Sequence, residues 1–331
     1  NARTRERIMF HLGIDVAKLK LDCALRDPNG KVKSKVVQNT GEGFKALMAW
    51  LEKQKAMQPH VIMEPTGIYH EAVALFLADA GLKVSLVNPA QLRKFAQGIG
   101  VKTKTDKADS AVLARYGATQ NPDVWQPPSP SVRALKALLA RRDAVADDLL
   151  RERNRAEKLE MTAPPKLVQD SIDSSIAYLK AELKRLEGVI DDHIDSDPDL
   201  REKKQLLRTI PGVGVRVSEH ITALLAGRDF DRAEQLAAYL GLVPVQWESG
   251  SSVHGRPRMS KAGPAHLRKL LFMPAIVAAR LNPHIKATYE RLLARGKSKM
   301  SAIGAAMRKL AHLCFGVVKT GRAYDPSLGG I

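Results

Sequence analysis

Short apolar runs alternate with helical periodicities along the first third of the chain. Residues 8–15 form an apolar run ending in Asp15, the pattern of a buried strand. Residues 19–26 alternate less cleanly, Asp27-Pro28-Asn29-Gly30 makes a turn, and residues 31–38 read as the return strand. Thr40 then opens a helix to residue 53, with Phe44, Leu47, Met48 and Leu51 on one face. Residues 61–64 are again apolar and end in an acid, Glu64. A helix over 69–80 stops at Gly81, a fifth strand covers 83–87, and two further helices cover 90–97 and 106–119.

The pattern changes after a proline-rich break at 127–130. Residues 131–161 place Val132, Leu135, Leu138, Leu139, Val145 and Leu149 at helical spacing, and Pro164-Pro165 interrupts them. Residues 172–194 resume with Ile176, Leu179, Leu183, Leu186 and Ile190, a seam near the coiled-coil period. An antiparallel helical hairpin is the direct reading, and its seam suits packing within the chain as well as a contact between subunits. Residues 206–226 hold Ile210-Pro211-Gly212-Val213-Gly214 between helical stretches, a helix-hairpin-helix pattern in which glycines admit close packing or a phosphate. Three amphipathic or apolar helices over 264–280, 285–295 and 301–318 close the chain. The expected domains are 8–126, a helical linker or oligomerisation segment over 131–195, and a mostly α domain over 200–324.

Charge narrows the function. The chain carries 53 Lys+Arg against 35 Asp+Glu, a formal net charge of +18. Between residues 249 and 324 there are 15 Lys/Arg and one acid, Glu290, whereas residues 140–202 mix both signs. Positive charge gathered in one region points to a polyanion, because each phosphate neutralised releases condensed counter-ions. An aromatic share of 5% argues against single-strand binding by base stacking. No apolar run approaches the roughly 20 residues of a membrane span, so no membrane partner is expected. Cys23 and Cys314, far apart in apolar stretches, read as reduced core thiols of a cytoplasmic protein.

Two groups of residues carry candidate chemistry. The element order β-β-β-α-β-α-β-α is that of the RNase H-like nucleases, and acids fall where that fold needs them. Asp15 ends the first strand, Glu64 ends the fourth, and Asp106 and Asp109 share one face of a helix. Carboxylates converging from separate elements suit Mg²⁺ or Mn²⁺, which take hard oxygen ligands. Lys102, Lys104 and Lys107 surround the last two acids and are placed to hold phosphates. The second group is a serine-rich loop, Glu248-Ser249-Gly250-Ser251-Ser252, followed by Arg256, Arg258, Lys261, His266, Arg268 and Lys269 without an acid. A serine facing guanidinium groups suits attack on phosphorus, and the Gly-x-Ser-x-Gly elbow of the hydrolases is absent.

Together these residues resemble the insertion-sequence 110 family of transposases, the DEDD recombinases guided by a bridge RNA. The likeness runs in order through Gly13-Ile14-Asp15, Met63-Glu64-Pro65-Thr66-Gly67, Asn88-Pro89 and Lys104-Thr105-Asp106-Lys107-Ala108-Asp109. It continues through Ile210-Pro211-Gly212-Val213-Gly214, Glu248-Ser249-Gly250-Ser251-Ser252 and Ser260-Lys261-Ala262-Gly263. The resemblance implies that Asp15, Glu64, Asp106 and Asp109 form a RuvC-like metal site and that Ser249 is the nucleophile. It also implies donor and target DNA, a guide RNA, and a homo-oligomer, dimer or tetramer, in the bacterial cytoplasm near the nucleoid. Arg256, Arg258, Lys261, Arg268 and Lys269 are the expected phosphate contacts of the C-terminal region. The competing readings are a RuvC-like junction endonuclease that uses metal-activated water, and a non-catalytic nucleic-acid-binding protein.

Overall fold

The N-terminal strands β1 (His11–Val16), β2 (Lys20–Arg26), β3 (Val32–Gln38), β4 (His60–Met63) and β5 (Val84–Leu86) make one mixed sheet. The structure, a computed structural model, describes residues 9–65, 67, 69–101, 105–161, 164–245, 248–249, 253–254 and 258–327. The chain divides into two units, Asn1–Pro127 and Pro128–Ile331.

In the first unit the strand order is β3-β2-β1-β4-β5. The strands β1, β2 and β3 pair antiparallel, while β4 lies parallel to β1 and β5 parallel to β4. This is the RNase H-like arrangement that the element order predicts. Side-chain parity explains its two layers. Leu12, Ile14 and Val16 of β1, with Leu21, Cys23 and Leu25 of β2, join a core with Phe44, Leu47 and Leu51 of α1 (Gly41–Lys53) and Val73 and Leu77 of α2 (Glu71–Asp79). The opposite parity is small or polar: Gly13 and Asp15 on β1 stand across from Ala24 and Asp22 on β2. On that side α3 (Pro89–Gly98) and α4 (Asp106–Gln120) share a smaller core of Ile62, Val87, Leu92, Val112 and Leu113.

The approach of α4 to β1 is as close as two backbones allow. A Cβ on Gly13 would land on the carbonyl oxygen of Ser110, 2.5 Å from the amide nitrogen of Ala114 and 2.8 Å from Leu113 Cβ. One end of the helix is thus docked at Gly13. At its other end a Cβ on Gly117 would meet Ile62 on β4. Glycine at these two places is what lets α4 lie flat on the sheet.

The second unit is helical. Two 31-residue helices, α5 (Pro130–Glu160) and α6 (Lys166–Ser196), pack against each other. At the root of the pair, Val132, Leu135 and Leu139 meet Ile190, Ile194, Leu200 and Ala223, which ties the hairpin to α7 (Pro198–Arg208) and α8 (Val215–Ala226). A buried ionic knot reinforces this root. Arg142 of α5 pairs with Glu219 of α8, and Arg142 and Asp143 both reach His220, whose Nε2 lies 2.9 Å from Arg142 Nη2 and 3.0 Å from Asp143 Oδ2. Burial works to raise Asp143, but His220, Arg216 and Arg142 hold its carboxyl well below the usual range. Each charge here has a partner, as burial demands.

The remaining core is built by α8 with α9 (Ala233–Tyr239), α10 (Ala265–Leu281), α11 (Pro283–Ala294) and α12 (Lys299–Thr320). Gly212, between α7 and α8, has φ +101° and lies so close to Ala278 of α10 that a Cβ would collide, so its role in the helix-hairpin-helix pattern includes packing. The sequence pattern misses α9, whose seven residues bury only Leu236 and Ala237, too few for a legible period. It also starts α6 at 172, because Leu167 and Val168 are exposed and give no apolar face to the first turns. One further expectation needs correcting. By length and composition α12 is apolar enough to cross a membrane, yet 56% of its apolar window is buried inside the protein. It is apolar because Ala306, Leu310, Leu313 and Val317 line the C-terminal core. Cys23 and Cys314 are free and buried, with burial raising both thiols to about 12.

Gly13→Ala is expected to lower unfolding stability by about 3 kcal/mol or more, since the clash is with backbone that cannot step aside. Gly41→Ala, where an added Cβ meets nothing within 4 Å at the start of α1, is expected to be neutral or slightly stabilising. Urea unfolding of the two variants checks the contrast, and equal effects would refute the docking argument.

Candidate metal centre and serine hairpin

The acids expected at the metal site come together at the carboxyl end of the parallel strands. Ile14 of β1 pairs with Met63 of β4, so the next residues, Asp15 and Glu64, lie at neighbouring strand ends. The same docking that seats α4 on Gly13 brings its first turn over this end, with Asp106 and Asp109 in that turn and Thr105 capping it through Ala108 N–H. First-turn acids also favour the helix dipole, so their position stabilises α4 whatever else they do.

The electrostatics register the convergence. Asp15 is raised to about 6, first by burial and then by the negative charges of Asp106, Asp109, Asp22 and Glu64. Four other carboxylates, from β2, α4 and the end of β4, therefore bear on Asp15. Asp22 was not among the residues singled out from sequence. It is buried and stands directly across from Asp15 in the β1–β2 register. The signal that finds it is hairpin symmetry: a turn closed by Ala17 N–H to Lys20 O pairs Val16 with Leu21 and hence Asp15 with Asp22. Lys20 is the second omission. Its Nζ reaches Asp22 at 3.0 Å and Asp106 at 2.7 Å, and the hydrogen bond it donates lowers Asp106.

The donor set fits a hard divalent cation: carboxylate oxygens from several elements, mutually repelling, with an ammonium already drawn in. Among the described residues, however, no group of three or more acids, histidines or cysteines is arranged to hold an ion as the side chains stand. For Asp15, Glu64, Asp106 and Asp109 to do so, Lys20 would have to give up its contact with Asp106. Of the lysines expected beside them, Lys107 is exposed on α4, while Lys102 and Lys104 lie outside the described residues.

In the second unit the serine-rich segment is expected as a loop and is instead arranged as a small hairpin. Strand β6 (Pro244–Val245) pairs with β9 (Arg258–Met259), and β7 (Glu248–Ser249) pairs with β8 (Val253–His254), placing Ser249 across from Val253. Strands of two residues leave no alternation for the sequence to show. Gly250, Ser251, Ser252 and Arg256 lie outside the described residues. The base of the hairpin is clamped. Ser260 N–H donates to Val243 O at 2.9 Å, Lys261 N–H to Gly241 O at 3.2 Å, and Arg268 Nη1 to Leu240 O at 3.1 Å and Ala262 O at 3.2 Å. Arg268, expected as a phosphate contact, thus holds backbone here. Arg258, Lys261 and Lys269 are exposed, and Lys261 takes a left-handed φ of 54° in the clamp.

Comparison with known proteins decides the family. A DEDD insertion-sequence 110 transposase model matches residues 12–160, and a model described as Transposase IS116/IS110/IS902 family matches 204–290. The chain is also 34% identical over 319 residues to the Pilin gene-inverting protein of Moraxella bovis, across 95% of this chain and 97% of that one. The chain belongs to the IS110 family of transposases. It is therefore an enzyme acting on DNA. This transposase is in addition 28% identical over 160 residues, 48% of its length and 38% of the other's, to an insertion element IS110 protein of 43.6 kDa from Streptomyces coelicolor. Among solved structures, T. thermophilus RuvC in complex with a Holliday junction substrate overlaps 34% of the transposase and 96% of RuvC, at 17% identity and a TM-score of 0.26.

The raised Asp15 makes a thermodynamic prediction for the metal-free transposase. A carboxyl raised on folding carries no penalty below its unfolded value near 3.8, and the full penalty above about 6. Asp15→Asn in chelator is expected to raise the melting temperature by about 2–4 °C at pH 7.5 and to leave it unchanged at pH 4. Scanning fluorimetry at both pH values is the check, and no gain at pH 7.5 would contradict the crowding of charge at Asp15.

Proposed function

We propose that this transposase cuts and rejoins DNA strands through a phosphoserine link formed by Ser249, with divalent metal held by Asp15, Glu64, Asp106 and Asp109, and with a bridge RNA choosing the sites. The observation that carries the metal half is the convergence of these acids upon Asp15, which burial first and then their charges raise. A binding module gains nothing from negative charge gathered beside a polyanion, so such a cluster is better read as chemistry.

In this reading Ser249 Oγ bonds to phosphorus of a phosphodiester and the bond to the 3′ oxygen breaks. The serine proton passes to the departing oxygen, leaving a free 3′-hydroxyl and a 5′-phosphoserine strand. Rejoining is the reverse, with the 3′-hydroxyl of another strand attacking phosphorus and returning the proton to Ser249. No net oxidation or hydrolysis occurs, so the bond energy is kept for the rejoining. Mg²⁺ or Mn²⁺, when bound, supplies charge neutralisation at the phosphate oxygens. The exposed Lys107, Arg258, Lys261 and Lys269, with Lys102, Lys104 and Arg256, hold the flanking phosphates, and Arg268 keeps the base of the serine hairpin in place. The corresponding division of labour is a metal-binding domain over 8–126, a helical linker over 131–195 that joins subunits, and a serine-bearing domain over 200–324.

The test is to incubate protein, co-purified RNA, DNA and Mn²⁺, denature, and look for DNA attached to protein. Ser249→Ala is expected to abolish the adduct, with Ser251→Ala and Ser252→Ala weakening it less. Asp109→Asn is expected to reduce cleavage about a hundredfold or more while nucleic-acid binding persists. Cleavage without any adduct would favour hydrolysis by a metal-activated water, the junction-nuclease reading. An adduct that survives Ser249→Ala would show that another residue is the nucleophile.

Charge gives a further expectation. Purified at low salt, the protein should carry a structured RNA that high salt removes, because phosphate contacts weaken steeply with ionic strength. Absorbance ratio and sequencing of bound nucleic acid measure this, and recombination by RNA-free protein would refute the guide.

A further inference from the structure

Lys20 begins β2 directly after the turn that returns the chain from Asp15. Its stem is half exposed, yet its ammonium bridges two acids from different elements, Asp22 of β2 and Asp106 of α4. Asp106 is one of the four carboxylates assigned to the metal, and Asp22 stands across from another, Asp15. The ammonium therefore occupies the part of the cluster where an incoming cation would seek oxygen ligands.

We propose that Lys20 is the resident counter-ion of this acidic cluster, and that a divalent ion binds through Asp106 only by displacing it. The inference rests on the metal reading above. An ammonium and a dication repel at such separations, and both cannot share one Asp106 oxygen. The exchange is feasible because its Asp106 arm is exposed: a pair at the surface contributes little, and a lysine stem swings freely. Once released, the ammonium is a mobile positive charge at the edge of the site, suited to a DNA phosphate. Lys20 thereby couples two events. Without DNA it keeps ion affinity low and holds the first turn of α4 to β2. With DNA present, the phosphate offers Lys20 another partner and frees Asp106 for the ion. The site would then become fully loaded chiefly when its substrate is in place, a safeguard for an enzyme that cuts DNA.

The experiment is calorimetric titration of Mn²⁺ into the full chain without nucleic acid, for the wild type, Lys20→Met, Lys20→Arg and Lys18→Met. Lys18 is exposed in the same turn and controls for the loss of one charge. Lys20→Met is expected to bind Mn²⁺ about tenfold more tightly, or about 1.4 kcal/mol, with Lys20→Arg and Lys18→Met near the wild type. In chelator Lys20→Met should also melt about 2 °C lower, since Asp22 and Asp106 lose their shared cation; circular dichroism confirms that it is folded. Unchanged or weaker Mn²⁺ binding by Lys20→Met overturns the proposal. So does equal tightening by Lys18→Met, which would reduce the effect to net charge, or by Lys20→Arg, which would show that the bridge is immaterial. If no form binds Mn²⁺, Lys20→Met included, the metal reading itself falls and this inference falls with it; binding by the wild type alone separates the two failures.

Discussion

The contact between the backbone of α4 and the small-residue face of β1 governs the N-terminal unit. Ser110 and Ala114 occupy the space that a Cβ on Gly13 would fill. Strand alternation then fixes the rest. With Gly13 turned toward α4, Leu12 and Ile14 turn toward α1 and α2, and Asp15 turns back to the α4 side at the strand end. A Gly-Ile-Asp triplet thus encodes a docking point, a core residue and a ligand candidate in three successive positions. Because α4 begins with Asp106 and carries Asp109 in the same turn, seating that helix on Gly13 also delivers two more carboxylates to Asp15.

Such a cluster is held against its own repulsion. Asp15 is partly removed from water and faces four other carboxyls, which is why it holds its proton to about pH 6. The sheet and its two cores supply the stability that keeps these charges near one another. Lys20 pairs with only two of these carboxyls, Asp22 and Asp106. The second unit handles buried charge differently: around Arg142 every acid meets a base, and the knot joins α5 to α8 without excess charge of either sign facing inward. One cluster has an excess of acids, the other pairs each acid with a base.

The serine hairpin obeys a different economy. Its strands are two residues long and contribute few ladder bonds, so its position depends on what lies at its base. Gly241 and Gly263 let two chain segments touch where side chains would collide, and Arg268 ties their carbonyls together. The segment between α9 and α10 is therefore anchored by glycine and one guanidinium.

Apolar patterning in the sequence was enough for the order of elements in the first unit, the two long helices and the three closing helices, because most of these bury an apolar face; β3, with Val37 as its one buried residue, is the exception. The four acids were legible for a related reason: three of the four elements bearing on Asp15 announce themselves by apolar runs that end or begin at an acid. The family, too, could be read from motif order along the chain. What tertiary structure alone decided concerns pairs of residues whose meaning lies in their partners. Asp22 looks like one polar residue in an indistinct strand until register sets it opposite Asp15. Lys20 looks like any surface lysine until α4 brings Asp106 to it across 86 positions of chain. Arg268 looks like a phosphate contact until Leu240 and Ala262 turn their carbonyls toward it. Local pattern reports which face of an element is buried, because burial acts on every turn or alternate residue. It is silent on single long-range contacts, which leave no period behind.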